Sequence, residues 1–235
     1  LVPYLNVAQN IFLGREFRGR LPFQIDHPRM HREARELLQM LGMELDTRTK
    51  VHELGIDRDE CLPGLARLAT RLHDAGATAM VQLFHGGVRA DSALTGEQVW
   101  SASTWTEDKP DFQVPRVGTV DDIARTIRAF AEAAARAGKA GFDGVELHGA
   151  HGYLLSQFLS RTMNPRTDGW GGDLEGRARL VRECVRACRA ATSPRFSIGV
   201  RLSFEDFGNA KGMDLDDNLR VAAWLVDDGA DFIHA

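Results

Sequence analysis

Residues 144–153 read Gly144-Val145-Glu146-Leu147-His148-Gly149-Ala150-His151-Gly152-Tyr153. Gly144 to His148 has the short apolar run of a buried strand, and Gly149 and Gly152 punctuate the turn that leaves it. The stretch therefore predicts a strand that delivers His148, His151 and Tyr153 together at its C-terminal end. Two imidazoles so spaced can converge on one point, where they donate hydrogen bonds to a developing oxyanion or bind a metal. Tyr153 adds a phenol, an O–H donor at neutral pH. A metal would need a further ligand. Glu146 alternates with Val145 and Leu147 on the strand, and the sequence holds neither a His-Glu-x-x-His helix nor a Cys-x-x-Cys pair. No metal is expected.

Outward from this stretch one grammar repeats: helix, glycine, short apolar strand. Leu62 to Asp74 predicts a helix with Pro63 in its first turn and Leu65, Leu68, Ala69 and Leu72 on one face, followed by a strand over Ala79 to Phe84. A second helix starts near Thr119, where Thr119 and Asp122 form a capping-box-like pair, and carries Ile123, Ile127, Phe130 and Ala134. A third spans Leu174 to Ala191 with Leu174, Ala178, Val181, Val185 and Cys188 aligned, before a strand over Phe196 to Leu202. A fourth covers Asp216 to Asp228, before a strand over Asp231 to His234. Alternation of this kind implies parallel strands with right-handed crossovers, and both a doubly wound sheet and a (β/α)8 barrel satisfy it. Polar residues close three of the strands: Gln82 with His85, His148, and Arg201. Ligands bind at that edge in either fold. An arginine closing an apolar strand suits an anionic planar ring, or a rim salt bridge with Glu146 or Glu205. Residues 86–115 show no clear periodicity and predict a long loop. Residues 161–173, rich in Gly, Arg, Thr and Asp, are expected to cross the strand-end face.

The bulk composition narrows the function classes. The 235 residues are 43% hydrophobic and 26% charged with a net charge of −4, as in an ordinary globular protein. No basic surface for nucleic acid and no membrane span is predicted. With no signal peptide recognised and only Cys61, Cys184 and Cys188 present, a cytoplasmic protein without a disulfide framework is expected. Cys184 and Cys188 share a helix face and are expected in the core.

Residues 148–160 (HGAHGYLLSQFLS), 164–172 (NPRTDGWGG) and Leu174-Glu175-Gly176-Arg177 resemble the long signature of the old yellow enzyme family, the FMN-dependent NADH:flavin oxidoreductases. Val81 to Gly87 (VQLFHGG) and Ile198 to Leu202 resemble two further strand ends of that family, so the resemblance runs over residues 52–235. It implies a (β/α)8 TIM barrel that binds FMN at the strand C-termini. NAD(P)H would reduce the flavin, which passes a hydride to an electron-poor alkene, a small-molecule substrate. It further implies that Gln82 contacts the flavin pyrimidine ring and that Arg201 lies against the N1–C2=O edge. His148 and His151 would hydrogen-bond the substrate carbonyl, and Tyr153 would supply the proton.

The four strands resemble strands three to six of that barrel, whereas a full barrel takes roughly 250 residues. Residues 51–235 are thus expected to form an incomplete FMN-oxidoreductase barrel. Its open strand edges favour homo-oligomers. Residues 1–50 predict a helical segment, with Met30, Ala34, Leu37, Leu38 and Leu41 on one helix face. Leu1 to Glu16 resembles part of a sugar-importer ABC transporter ATPase, although no Walker A loop is present. A composite chain with a join near residue 51, active or as a remnant that does not bind FMN, is the corresponding expectation.

Overall fold

The computed structural model describes residues 6–12, 16–17, 19, 25–40, 46–48, 61–110, 112–203 and 212–235. Contacts divide the chain into two units, residues 1–79 with 139–141, and residues 80–138 with 142–235. The boundary expected near residue 51 falls among residues outside the description.

In the first unit, α1 (Val7–Ile11), α2 (His27–Met40) and α3 (Leu62–Asp74) are helical. Met30, Ala34 and Leu38 of α2 are buried, and Met30 and Ala34 form a small core with Ala8. Leu37, expected on the same face, is 38% exposed, because the buried stripe follows the spacing 30, 34, 38. Leu41 lies outside the described residues.

The second unit is built on one parallel sheet of four strands. These are β1 (Met80–Leu83), β4 (Gly144–Gly149), β5 (Ser197–Leu202) and β6 (Phe232–His234), in that spatial order. Between β1 and β4 lie the one-turn helix α4 (Ser92–Thr95), a two-stranded parallel ribbon of β2 (Trp100–Ser101) and β3 (Arg116–Val117), and α5 (Val120–Lys139). After β4 come α6 (Leu154–Leu159) and α7 (Leu174–Ala191), and after β5 comes α8 (Leu215–Asp227). Residues 86–115 are thus more structured than their sequence suggested. Pairs as short as β2 and β3 carry no detectable periodicity.

Strand order distinguishes the two folds that the sequence left open. A doubly wound sheet reverses its order at a switch point, whereas here each major strand is added on the same side as the last. The architecture is therefore a partial (β/α)8 barrel. One sheet face is apolar, with Val145, Leu147, Ile198 and Val200 fully buried. Helix α7 packs against β5 and α8, burying Ala178, Val181, Val185 and Cys188 completely. Cys184 and Cys188 lie in this core, where burial pushes the Cys188 thiol up to about 12. The expected cap of α5 is present: the Asp122 N–H donates to Thr119 Oγ1 (3.1 Å), and the Thr119 N–H donates to Asp122 Oδ2 (2.8 Å). Arg116 also pairs with this carboxylate (2.9 Å) and holds it well below the usual range.

Buried charge ties the helical layer together. Arg177, 6% exposed, donates to the Leu159 carbonyl (2.9 Å), the Gly172 carbonyl (2.9 Å) and Asp217 Oδ2 (3.0 Å) of α8. Removing one partner strands the other charge in a medium that solvates it poorly. Asp217→Ala is expected to lower stability by about 3 kcal/mol in urea denaturation. A loss below about 0.5 kcal/mol would show that this pair does not hold α7 to α8.

Candidate active site

Parallel register sets the site. Gln82, Glu146, Gly199 and Phe232 stand side by side across the sheet, and His148, Arg201 and His234 form the next row. Because side chains alternate along a strand, both rows project from the same face, opposite Val145, Leu147, Ile198 and Val200. The sheet thus brings together Gln82, His148 and Arg201, which lie far apart in the chain.

The turn after β4 adds the rest. His151 (φ 58°) and Gly152 (φ 72°) both adopt left-handed backbone. For a histidine this conformation is uncommon and is kept only where the surroundings impose it. The His151 N–H donates to Ser203 Oγ (3.2 Å), and Ser156 Oγ donates to the Ala150 and Tyr153 carbonyls (3.2 and 2.9 Å). The reversal brings the His151 ring perpendicular to His148 with centroids 4.9 Å apart. Tyr153 lies 4.9 Å from the His148 ring and 5.3 Å from that of Phe84.

The fully buried Gln157 fixes this turn from behind. Its Oε1 accepts from Ser101 Oγ (2.7 Å) and the Val88 N–H (3.3 Å), while its Nε2 donates to the Gly152 carbonyl. Gly87 (φ 56°) packs against this amide with no room for a Cβ. Sequence reasoning missed Gln157. It stands with Ser156 in an otherwise apolar helix run, and only that polarity hinted at a role. The loop over 161–173 ties back to α6 and the β2–β3 ribbon: Asn164 Nδ2 donates to the Phe158 carbonyl (2.7 Å), and Arg166 donates to the Gly118 carbonyl (2.8 Å).

Electrostatics assign the protons. Burial, helped by His151 and Arg201, holds His148 down to about 4, so its ring is neutral at pH 7. Its Nδ1 accepts the Ala150 N–H (3.4 Å), which places the ring proton on Nε2. His148 is therefore a neutral Nε2–H donor. His85 is likewise neutral: burial lowers it to about 4, and its Nδ1 accepts the Gly87 N–H (3.1 Å).

Arg201 does not make the salt bridge with Glu146 that the sequence allowed, and Glu205 lies outside the described residues. Glu146 instead takes Gln82 Nε2 (2.6 Å) and His234 Nδ1 (2.8 Å). Arg201 Nε is buried and has no hydrogen-bond partner among the described residues. An orphaned guanidinium N–H beside a neutral imidazole donor and an exposed glutamine amide is a donor set that fits the electron-rich edge of a heterocyclic cofactor.

The model of the NADH:flavin oxidoreductase / NADH oxidase family matches residues 39–235. The NADPH dehydrogenase of Bacillus pumilus (strain SAFR-032) is 37% identical over 220 residues, which cover 92% of this chain and 63% of the relative. That of Halalkalibacterium halodurans is 36% identical over 216 residues, covering 90% and 61%. An old yellow enzyme homologue from Zymomonas mobilis superposes with a TM-score of 0.68 at 30% identity, covering 76% of this chain and 53% of the other. Morphinone reductase in complex with tetrahydroNAD gives 0.68 at 28%, covering 77% and 54%. The chain thus spans less than two thirds of the length of these relatives. The family match begins inside the first 50 residues and lends the transporter resemblance there no support.

The depressed His85 and His148 make stability depend on pH. Unfolded imidazoles titrate near 6.5 and folded ones near 4, so the unfolded chain binds more protons between these values. The stabilisation is complete above about 6.5 and is lost as pH falls toward about 4. Urea midpoints are expected to drop between pH 7 and pH 5, and His148→Asn should shrink the drop. An unchanged midpoint would contradict the burial of neutral rings.

Proposed function

Because the chain belongs to the NADH:flavin oxidoreductase / NADH oxidase family, we propose that it is an FMN-dependent NAD(P)H oxidoreductase that reduces an electron-poor alkene. The observation that carries this is the strand-end row, in which Arg201 Nε, unpartnered among the described residues, stands in register with His148. When bound, FMN supplies a two-electron carrier that takes a hydride from NAD(P)H and delivers it to the acceptor.

The chain's own residues hold and protonate. Gln82 would present its amide to the pyrimidine ring of the flavin. Arg201 would set a fixed positive charge against the ring's N1–C2=O edge. The His148 Nε2–H and His151 donate to the carbonyl oxygen of the substrate, which draws charge off the alkene as it is reduced. Preorganisation favours this work, since the neutral His148 has its proton fixed on Nε2 and the His151 backbone is locked by Ser203. Tyr153 donates its phenolic proton to the carbon that becomes carbanion-like and recovers one from solvent.

The half-reactions separate these roles. Tyr153→Phe in the FMN-loaded protein is expected to slow alkene reduction about 100-fold or more while NAD(P)H oxidation by the flavin continues. Stopped-flow absorbance follows both steps. Equal loss of both would contradict the proton-donor role, and a colourless protein that FMN cannot reconstitute would overturn the enzyme reading for this chain.

A further inference from the structure

Glu146 was not assigned a role by the strand-end chemistry, yet it joins two other side chains of that face. Its Oε1 accepts from Gln82 Nε2 (2.6 Å) and its Oε2 from His234 Nδ1 (2.8 Å). Gly199 stands beside Glu146 in the register, and the Phe232 ring fills the space its missing side chain leaves, beside the reach from Glu146 to His234. Glu146 itself is largely buried, with 13% of its side chain exposed, whereas Gln82 is exposed.

We infer that Glu146, held by His234, is a positioning residue that fixes which end of the Gln82 amide faces the cofactor. The inference rests on the flavin reading above. A carboxylate accepts hydrogen bonds and donates none. It therefore takes the NH2 end of Gln82 and repels the carbonyl end, so Oε1 and the second N–H are left to face outward. The pyrimidine ring of oxidised flavin carries one N–H flanked by carbonyls, and a pinned amide presents the complementary acceptor and donor. An unpinned amide must give up its rotational freedom and choose its orientation when the ring arrives.

A double-mutant cycle on the full chain tests this, with FMN affinity read from flavin fluorescence. Glu146→Leu is expected to weaken FMN about tenfold in the wild-type background. In a Gln82→Ala background the same change should alter affinity less than about twofold, because the group it positions is gone. An equal penalty in both backgrounds would reduce Glu146 to a structural role and overturn the inference. The flavin-free protein supplies a second readout. The side-chain NH2 signals of Gln82, identified by their loss in Gln82→Ala, should lie away from those of free glutamine amides and return to them in Glu146→Leu. Unmoved signals would show that no clamp exists. A wild-type chain that binds no FMN overturns the flavin reading and this inference with it, while the amide signals still decide whether the clamp forms.

Discussion

The pairing of β4 with β5 in parallel register is the constraint on which the site depends. It sets His148 beside Arg201 and Glu146 beside Gly199, and through β1 it sets Gln82 beside Glu146. A shift of one residue along either strand would turn that strand's site groups into the helical layer and bring its apolar residues, Val145 on β4 or Ile198 on β5, out to the site face. The fully buried Val145, Leu147, Ile198 and Val200 prevent such a slip, since moving either strand would expose two of these apolar side chains and bury polar groups in their place. The apolar layer therefore defines the chemistry by fixing the register.

That layer explains why so much was legible in the sequence. Helices α3 and α7 have the boundaries their periodicity predicts, and the residues expected on the inner face of α7 are buried. Gln82, His148 and Arg201 could be picked out because each is a polar residue closing an apolar strand. Their meeting in adjacent rows could not, since register is a tertiary property. Glu146 was misplaced for the same reason. Its place near a strand end allowed a rim salt bridge with Arg201, whereas the register gives it Gln82 and His234. Gln157 and the elements β2 and β3 were invisible because a single buried amide and two-residue strands leave no pattern.

Local cost concentrates where function is expected. His151 is the one non-glycine residue with positive φ among the described residues, and it lies in the turn that carries His148 and Tyr153. His148 stays neutral in a buried site, and Arg201 keeps a buried N–H without a partner among the described residues. Each would be unfavourable in a surface assembled for stability alone. All three lie at the C-terminal end of the sheet, where Gln157 and Ser203 brace the turn.

The Arg201 row is proposed to receive the isoalloxazine ring of FMN. Titrating the protein into FMN and following flavin fluorescence tests it most directly. Saturable one-to-one quenching by the wild-type chain is expected, with Arg201→Met weakening it by about tenfold or more. FMN fluorescence that the wild-type chain leaves unchanged, or affinity that survives Arg201→Met undiminished, would contradict it.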